Sequence, residues 1–395
     1  MNVLLDKPRE RFREDLTSLY FLPMMGTTAF RGEHTGGSVL RLQAVSEVSA
    51  NVKGIPLLII LMAWMLALGS CNDTNPVTPG AQPMDTTSHT YVWEIDTLVM
   101  DKYSRVNGVW AFSENDVWVA GYFRSLDSTG AQIFNKTCNA AHWDGQTWTL
   151  LRITVQVEDR TSASAPTNCF GLGPDDLWLV PGKHWNGHYW TGYVFTWIAH
   201  GEILAAWGSR TDDVYFVGRN ESIVRWDGKT LTSLAAETSV QCHGVWGSGD
   251  TVLIATVDGY RVYGGTGHII RVVKGKIIGR EAVQQGGTLT RVWECDGIWY
   301  AGGTAGVFSY NGKQWNKVLS KVRSVTGLQG TACNDVYVSY STGPVHHFNG
   351  RTWEFIRTDL RFNFLGTGLA AVGRNVFITA SDNSYPIVMR GRRVD

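Results

Sequence analysis

From residue 91 onward, apolar and polar positions follow one pattern that returns again and again. It is clearest between Val109 and Trp148. VWAFSENDVWVAG gives an apolar pair, a polar turn and a strand alternating with period two; HWDGQTWTLL then gives two aromatic strands around Asp-Gly. Each unit therefore predicts four short antiparallel strands. Strand one is of the Val-Trp type (Val109-Trp110, Val245-Trp246, Val292-Trp293), and strand two reads DVWVAG, DLWLV, DVYFVG or DVYVS. Strand three ends on Trp143, Trp185, Trp226, Tyr310 or Phe348, and strand four opens on Trp148, Trp190, Trp315 or Trp353.

Two anchors fix the count. A polar turn residue precedes strand two at Asp116, Asp176, Asp213, Thr251, Gly297, Asp335 and Asn375, and a hairpin glycine follows strand three at Gly145, Gly187, Gly228, Gly275, Gly312, Gly350 and Gly391. The two alternate throughout, giving a repeat of about 38 residues. In the second unit HWNGHYWT is preferred to TWIAHGEIL as the hairpin, because it matches HWDGQTWT of the first. The Asp-Gly and Asn-Gly pairs suit two-residue type I′ turns, and the Asp before strand two is expected to cap its turn through backbone N–H groups. Four antiparallel strands per unit, seven times over, predict an all-β fold: a seven-bladed β-propeller of four-stranded blades spanning 91–395. Tyr91-Val92-Trp93-Glu94-Ile95 reads as an orphan fourth strand. Pairing it with the last unit would close the ring and remove two exposed edges.

Blade five, IWYAGGTAGVFSYNGKQW, resembles a kelch repeat, and the other blades are similar to the VWG, DVWAVG, HWDGxxW repeats of bacterial secreted and surface propellers. That resemblance implies the fold and no particular activity. Ahead of the repeats, KGIPLLIILMAWMLALGSC places one charge, an apolar run and then Leu68-Gly69-Ser70-Cys71 in order. The run is short for a membrane-spanning helix, which needs about 20 apolar residues, and its ending resembles the lipobox of bacterial lipoproteins. The resemblance implies a signal sequence over 52–70, lipidation at Cys71, export, and anchoring to the bacterial cell envelope, periplasmic or at the cell surface. Residues 1–51 lack lasting period and are expected to be weakly structured, and a start at Val52 would make them an upstream extension; 71–90, rich in Thr, Pro and Asn, reads as a disordered tether.

Composition adds little to the fold and more to the function. Seventeen Trp and 44 Gly suit short aromatic strands joined by tight turns, and 35 basic against 35 acidic residues leave no basic field for nucleic acid. Most Trp residues fall on repeat positions and are expected in the core between blades. Tyr189, Tyr193 and Trp197 stand off the register. His142, His184 and His347 share one repeat position, which favours a framework role over metal ligation, and no metal or cofactor is expected. With Cys71 lipidated, five of the six cysteines remain; Cys295 with Cys333 and Cys138 with Cys169 are expected disulfides, and Cys242 a buried thiol.

No G-x-S-x-G elbow, P-loop, Rossmann glycine set or sialidase-type box occurs. Two classes remain. The favoured one is a monomeric, membrane-anchored lipoprotein whose propeller binds an envelope or extracellular protein, or a glycan. The alternative is a secreted carbohydrate-active enzyme with its site at the propeller mouth, where Asp127, Glu158 and Asp258 could supply acid and base. Carboxylates gathered with an Arg in the central funnel would favour the enzyme. Insertions at 124–137, 259–268 and 153–168 all fall in connections that leave one end of the disc, from strand two to three or from strand four to the next blade. A partner is expected there, on Arg124, Asp127, Tyr189, Tyr193, Arg219, His243 and Arg291.

Overall fold

Alternation is what builds each sheet. In the computed structural model, which describes residues 86–234, 240–257, 267–283, 287–320, 324–342, 345–356, 365–382 and 385–394, seven four-stranded antiparallel sheets form, with one two-stranded hairpin beside them. The expected leader, signal segment and Cys71, the expected tether up to residue 85, Asp258 and the blade-four insertion up to residue 266 lie outside the described residues. Blade one shows the plan: Arg105–Ser113, Asp116–Phe123, Cys138–Trp143 and Trp148–Leu151 pair in chain order. Strand two is the most buried in each sheet, since neighbouring blades cover both its faces; Val117, Val119, Leu177, Leu179, Val214, Phe216, Val336 and Val338 have no exposed surface. The core is therefore a set of layers between blades. Phe170, Trp178, Phe216 and Trp226, for instance, pack where blades two and three meet. Strand-one segments touch their neighbours in turn around the ring, and strand one of blade seven touches that of blade one.

Strand Tyr91–Thr97 is the outer strand of blade seven. It runs antiparallel to Tyr385–Arg393, with Tyr91 opposite Arg393 and Thr97 opposite Ile387. Gly391 is accordingly no hairpin glycine. It lies within that strand opposite Trp93, whose ring would stand 2.6 Å from any added Cβ.

Two expectations about turns are corrected. In blades one, two, three, five and six the turn between strands three and four has four residues, not two, because the Trp or its equivalent on each side pairs directly, as Trp143 does with Trp148. Only the glycine takes positive φ there, for example 94° at Gly145. The preceding Asp or Asn instead accepts the backbone N–H groups two and three residues on: Asp144 from Gln146 and Thr147, at 2.8 and 2.7 Å. Among the described turns between strands three and four, both φ values are positive only at the two-residue Lys274-Gly275 turn of blade four, as type I′ requires.

The Asp before strand two does not cap its turn. Its carboxylate reaches across the sheet to a cation-forming side chain of strand three. Asp116 meets His142 at 2.9 Å, Asp176 meets His184 at 2.8 Å, Asp213 meets Arg225 at 2.7 Å and Asp335 meets His347 at 2.9 Å. The partner in each case sits opposite the strand-two aromatic, so Trp118, Trp178, Tyr215 and Tyr337 lie beside the pair. These histidines are framework.

The end of the expected tether is ordered. Thr87 donates to the backbone oxygen of Asn334 at 2.6 Å, and the His89 ring meets His347 with nitrogens 2.9 Å apart. Residues 86–90 thus dock on blade six, because their hydroxyl and imidazole groups find partners there that a free tether would leave to water.

Cys295 and Cys333 form a disulfide with Cα atoms 5.4 Å apart, joining equivalent turns of blades five and six. The expected pair Cys138 and Cys169 does not form. Both are free thiols: Cys169 is buried on strand one of blade two, where its thiol donates to the oxygen of Trp118 at 3.4 Å, and Cys138 opens strand three of blade one. Cys242 is a buried thiol, as expected.

Candidate functional site

Strand order decides which loops share an end. Connections from strand two to three, and from strand four to the next blade, leave the same end of the disc, which also carries the longest described insertions. That loop end is well braced. In 98–104, Asp101 is buried and accepts from the Ser104 hydroxyl at 2.8 Å; the Ser104 oxygen accepts the Arg124 N–H at 2.9 Å, and Arg124 reaches back to Asp101 at 3.6 Å. The insertion after Phe123 is folded on itself. Asp127 accepts from Thr129 N–H, Thr129 hydroxyl and Ala131 N–H between 2.7 and 2.9 Å, which holds its carboxyl below the usual range, and a turn of 3-10 helix at Phe134–Lys136 ends the excursion. Asn139 stitches the following connection down by exchanging hydrogen bonds with Ile153, both 2.9 Å. Lys183 is buried beneath it and donates to Ser164, with burial bringing its pKa down to about 8.

Bracing on this scale displays apolar side chains instead of hiding them. Met100 is 73% exposed, Tyr103 61%, Phe134 75% and Trp197 85%, and all four stand in loop-end connections. Trp197 alone was visible as an off-register aromatic. The other three sit in stretches that do not repeat, so no period marks them.

The seven residues expected at the binding face separate into different roles. Arg124 is a strut, with its guanidinium 4.7 Å from the centre of the Tyr103 ring. Asp127 shapes its own loop. Tyr193 belongs to the core between blades two and three, its ring 5.3 Å from Trp178 and 5.0 Å from Trp226. Tyr189 is at the wrong end. It closes the turn between strands three and four of blade two, where Asn186 N–H bonds its carbonyl, and so lies with the short turns. Only Arg219, His243 and Arg291 come together, at the loop-end mouth of the central channel.

The channel runs between the seven strand-one segments. At its loop-end third six of these strands, all but that of blade two, share a β-bulge: register shifts fall between Val106 and Gly108, Ile203 and Ala205, Cys242 and Gly244, Leu289 and Arg291, Val325 and Gly327, and Gly366 and Gly368. A bulge re-aims the side chain it carries, and Asn107, His243, Thr326 and Thr367 line the channel as a result. Burial, with the charges of Arg291 and Arg219 nearby, brings the His243 pKa down to about 4. Burial brings Arg291 to about 10. The described channel lining holds no Asp or Glu.

Likeness to solved structures rests on this geometry. The chain is similar to YCF48 bound to D1 peptide (14% identity, TM-score 0.55, 77% of this chain and 97% of that one) and to the WD40 β-propeller domain of Doa1 (12%, 0.54, 78% and 98%). YCF48 from Cyanidioschyzon merolae matches at 12% identity and TM-score 0.53, over 75% of this chain and 98% of that one. The shared feature is the propeller fold. No protein-family model and no curated protein matches the chain. At such identities nothing of those proteins' sites carries across residue by residue, and the propeller here must be read from its own loops.

A cleft of about 560 Å³ lies away from the loop end. It opens among the short turns between blades seven and one, lined by Glu94, Glu114, Arg374, Arg390 and Arg392. Its charges are largely engaged with one another: Arg390 pairs with Glu94 and Asp96, and Glu114 accepts from Asn375 at 3.0 Å. The cleft is part of the seam that joins the first and last blades.

Proposed function

We propose that the chain is a lipid-anchored propeller of the cell envelope that binds a protein through the loop end of its disc. The observation that carries the reading is the set of four exposed apolar side chains, Met100, Tyr103, Phe134 and Trp197, held on loops that are themselves hydrogen-bonded in place. Apolar groups fixed before contact lose little further freedom on binding, and aromatic anchors dominate protein interfaces. Among the described residues the channel lining carries Arg and His but no carboxylate, and so offers no acid and base pair of the kind the enzyme alternative needs. That a similar propeller has been solved with a peptide bound supports the capacity of such a scaffold for this role.

With the envelope protein that co-purifies with the lipidated chain as titrant, Trp197→Ser and Phe134→Ser should each weaken binding by about 30-fold, the scale of an interface hot spot. Tyr189→Ser, also exposed but at the opposite end, should change it less than two- to threefold. The opposite ranking, or capture of glycans alone on an array, would remove the reading.

Anchoring is tested separately. The Leu68-Gly69-Ser70-Cys71 sequence motivates lipidation at Cys71, where each buried CH₂ of an acyl chain contributes about 0.8 kcal/mol of membrane affinity. Cys71→Ala should move the protein out of the mature membrane fraction. Mass spectrometry of mature protein that finds an unmodified peptide running through Ser70 and Cys71 would contradict the anchor.

A further inference from the structure

One position in the ring breaks the pattern of its neighbours. After the bulge, blades one, four, six and seven place glycine at Gly108, Gly244, Gly327 and Gly368. Close approach of adjacent inner strands explains three of these: a Cβ on Gly108 would stand 2.1 Å from Asn168, on Gly244 2.5 Å from the oxygen of Thr290, and on Gly327 2.3 Å from Leu369. Blade five carries Arg291 at this position. The largest cationic side chain thus stands where four other blades carry glycine and blade three the small Ala205, and it lines the channel.

Arg291 has no counter-ion among the described residues. Its one hydrogen bond among the described residues runs from Nη1 to the backbone oxygen of Thr290, at 2.8 Å. The side chain is only partly exposed at the channel wall, and burial is the sole cause of its lowered pKa. A planar guanidinium offers five N–H donors in a fork that matches an oxyanion, and enclosing one without a partner is costly unless something supplies the charge. His243 faces the same space from the bulge of blade four.

We propose that Arg291, with His243, forms an oxyanion site at the loop-end mouth of the channel, which receives a carboxylate borne on the partner's chain. The inference deepens the protein-binding reading and rests on it for the identity of the occupant. Size and access select the carboxylate. The channel cavity is about 90 Å³, a few water volumes, so it admits one small oxyanion group and excludes a sugar ring. Beside it, sharing Asn107 and Thr367, a wider cleft of about 430 Å³ opens at the loop end past Arg105 and Arg219. A group reaching the channel from that side can be tethered to a chain lying in the cleft. Arg219 is held by Glu202 at 3.0 Å, so the uncompensated charge is that of Arg291.

The test uses the detergent-solubilised full chain with three probes at constant ionic strength: acetyl-triglycine as free acid, the same peptide as its amide, and inorganic phosphate. Binding is read from the His243 ring signals by NMR. The free acid should shift them saturably, the amide should not, and Arg291→Gln should weaken the free acid at least tenfold while Arg291→Lys retains part of the affinity. Should Arg291→Gln fail to fold, the free acid against amide contrast in the unmodified protein still decides. Equal response to acid and amide, no response to either, or a response to phosphate alone would each overturn the proposal. None of these results bears on whether Trp197 and Phe134 contact a protein, so the site and the binding face can fail separately.

Discussion

Deleting residues 91–97 is expected to unfold the propeller, not to trim it. In this strand Tyr91 and Trp93 pack on the blade-seven core of Leu369, Ile378 and Met389. Asp96 accepts from the Trp148 indole of blade one at 2.9 Å and from Arg390 of blade seven at 2.6 Å. Burial of the two aromatics is worth about 1.5–3 kcal/mol each, and each hydrogen bond to the carboxylate about 1.5–3. Together these approach the whole stability of an ordinary domain, about 5–15 kcal/mol. The deletion also bares the edge of Tyr385–Arg393, an invitation to intermolecular pairing. The full chain carrying it should lose its cooperative melt and associate on size-exclusion chromatography; a transition within a few degrees of the parent would show that the strand is dispensable.

Asp335→Ala is expected to cost about 3–5 kcal/mol, the range for breaking a buried ion pair, and to lower Tm by roughly 10 °C for a domain of this size. Asp335 and His347 are both buried. The carboxylate accepts from His347 and from the Tyr337 hydroxyl, each at 2.9 Å, and from Thr331 and Arg393. Tyr337 in turn meets the Tyr91 hydroxyl at 2.8 Å, and His347 meets His89. One carboxylate thus gathers the beginning of the described chain, blade six and the end of blade seven. Burial alone would raise its pKa, but the hydrogen bonds of His347, Thr331 and Tyr337 and the charge of Arg393 outweigh that and hold it below the usual range.

The sign of the pH dependence follows. A depressed carboxyl contributes its full stabilisation above its unfolded value near 4, and loses it as pH falls through the lower folded value. The difference in Tm between parent and Asp335→Ala should therefore be full at neutral pH and shrink below about pH 4. Asp116→Ala is the control. Its partner His142 is equivalent in register, but both side chains are partly exposed, so about 1 kcal/mol is expected. Equal losses at the two positions would mean that the Asp335 network has no special role.

What the sequence made legible was whatever repeats. Seven units, the strand limits within them, the blade-two hairpin and the disulfide at Cys295 and Cys333 all follow from comparing equivalent positions. Contacts that join dissimilar parts of the chain left no such trace. Thr87 and His89 look like tether because their partners, Asn334 and His347, are some 250 residues away. Met100, Tyr103 and Phe134 occur once each in loops without period. Tyr189 was misplaced by a matter of register: it adjoins Trp190, and only the four-residue turn reveals which end of the disc it occupies. Arg291 was visible in principle, as the Arg of TRVW where blades one and four read NGVW and HGVW. Its meaning required the bulge and the close approach of inner strands.

The most direct measurement is hydrogen exchange of the full chain with and without the envelope protein partner that the proposed function predicts. Protection on binding is predicted in 98–104, 124–137 and 193–202, the connections that present Met100, Tyr103, Phe134 and Trp197, with no change in the turns at 144–147, 186–189 and 311–314. Protection confined to those turns, with the loop end unaltered, would place the partner on the other side of the disc and contradict the account.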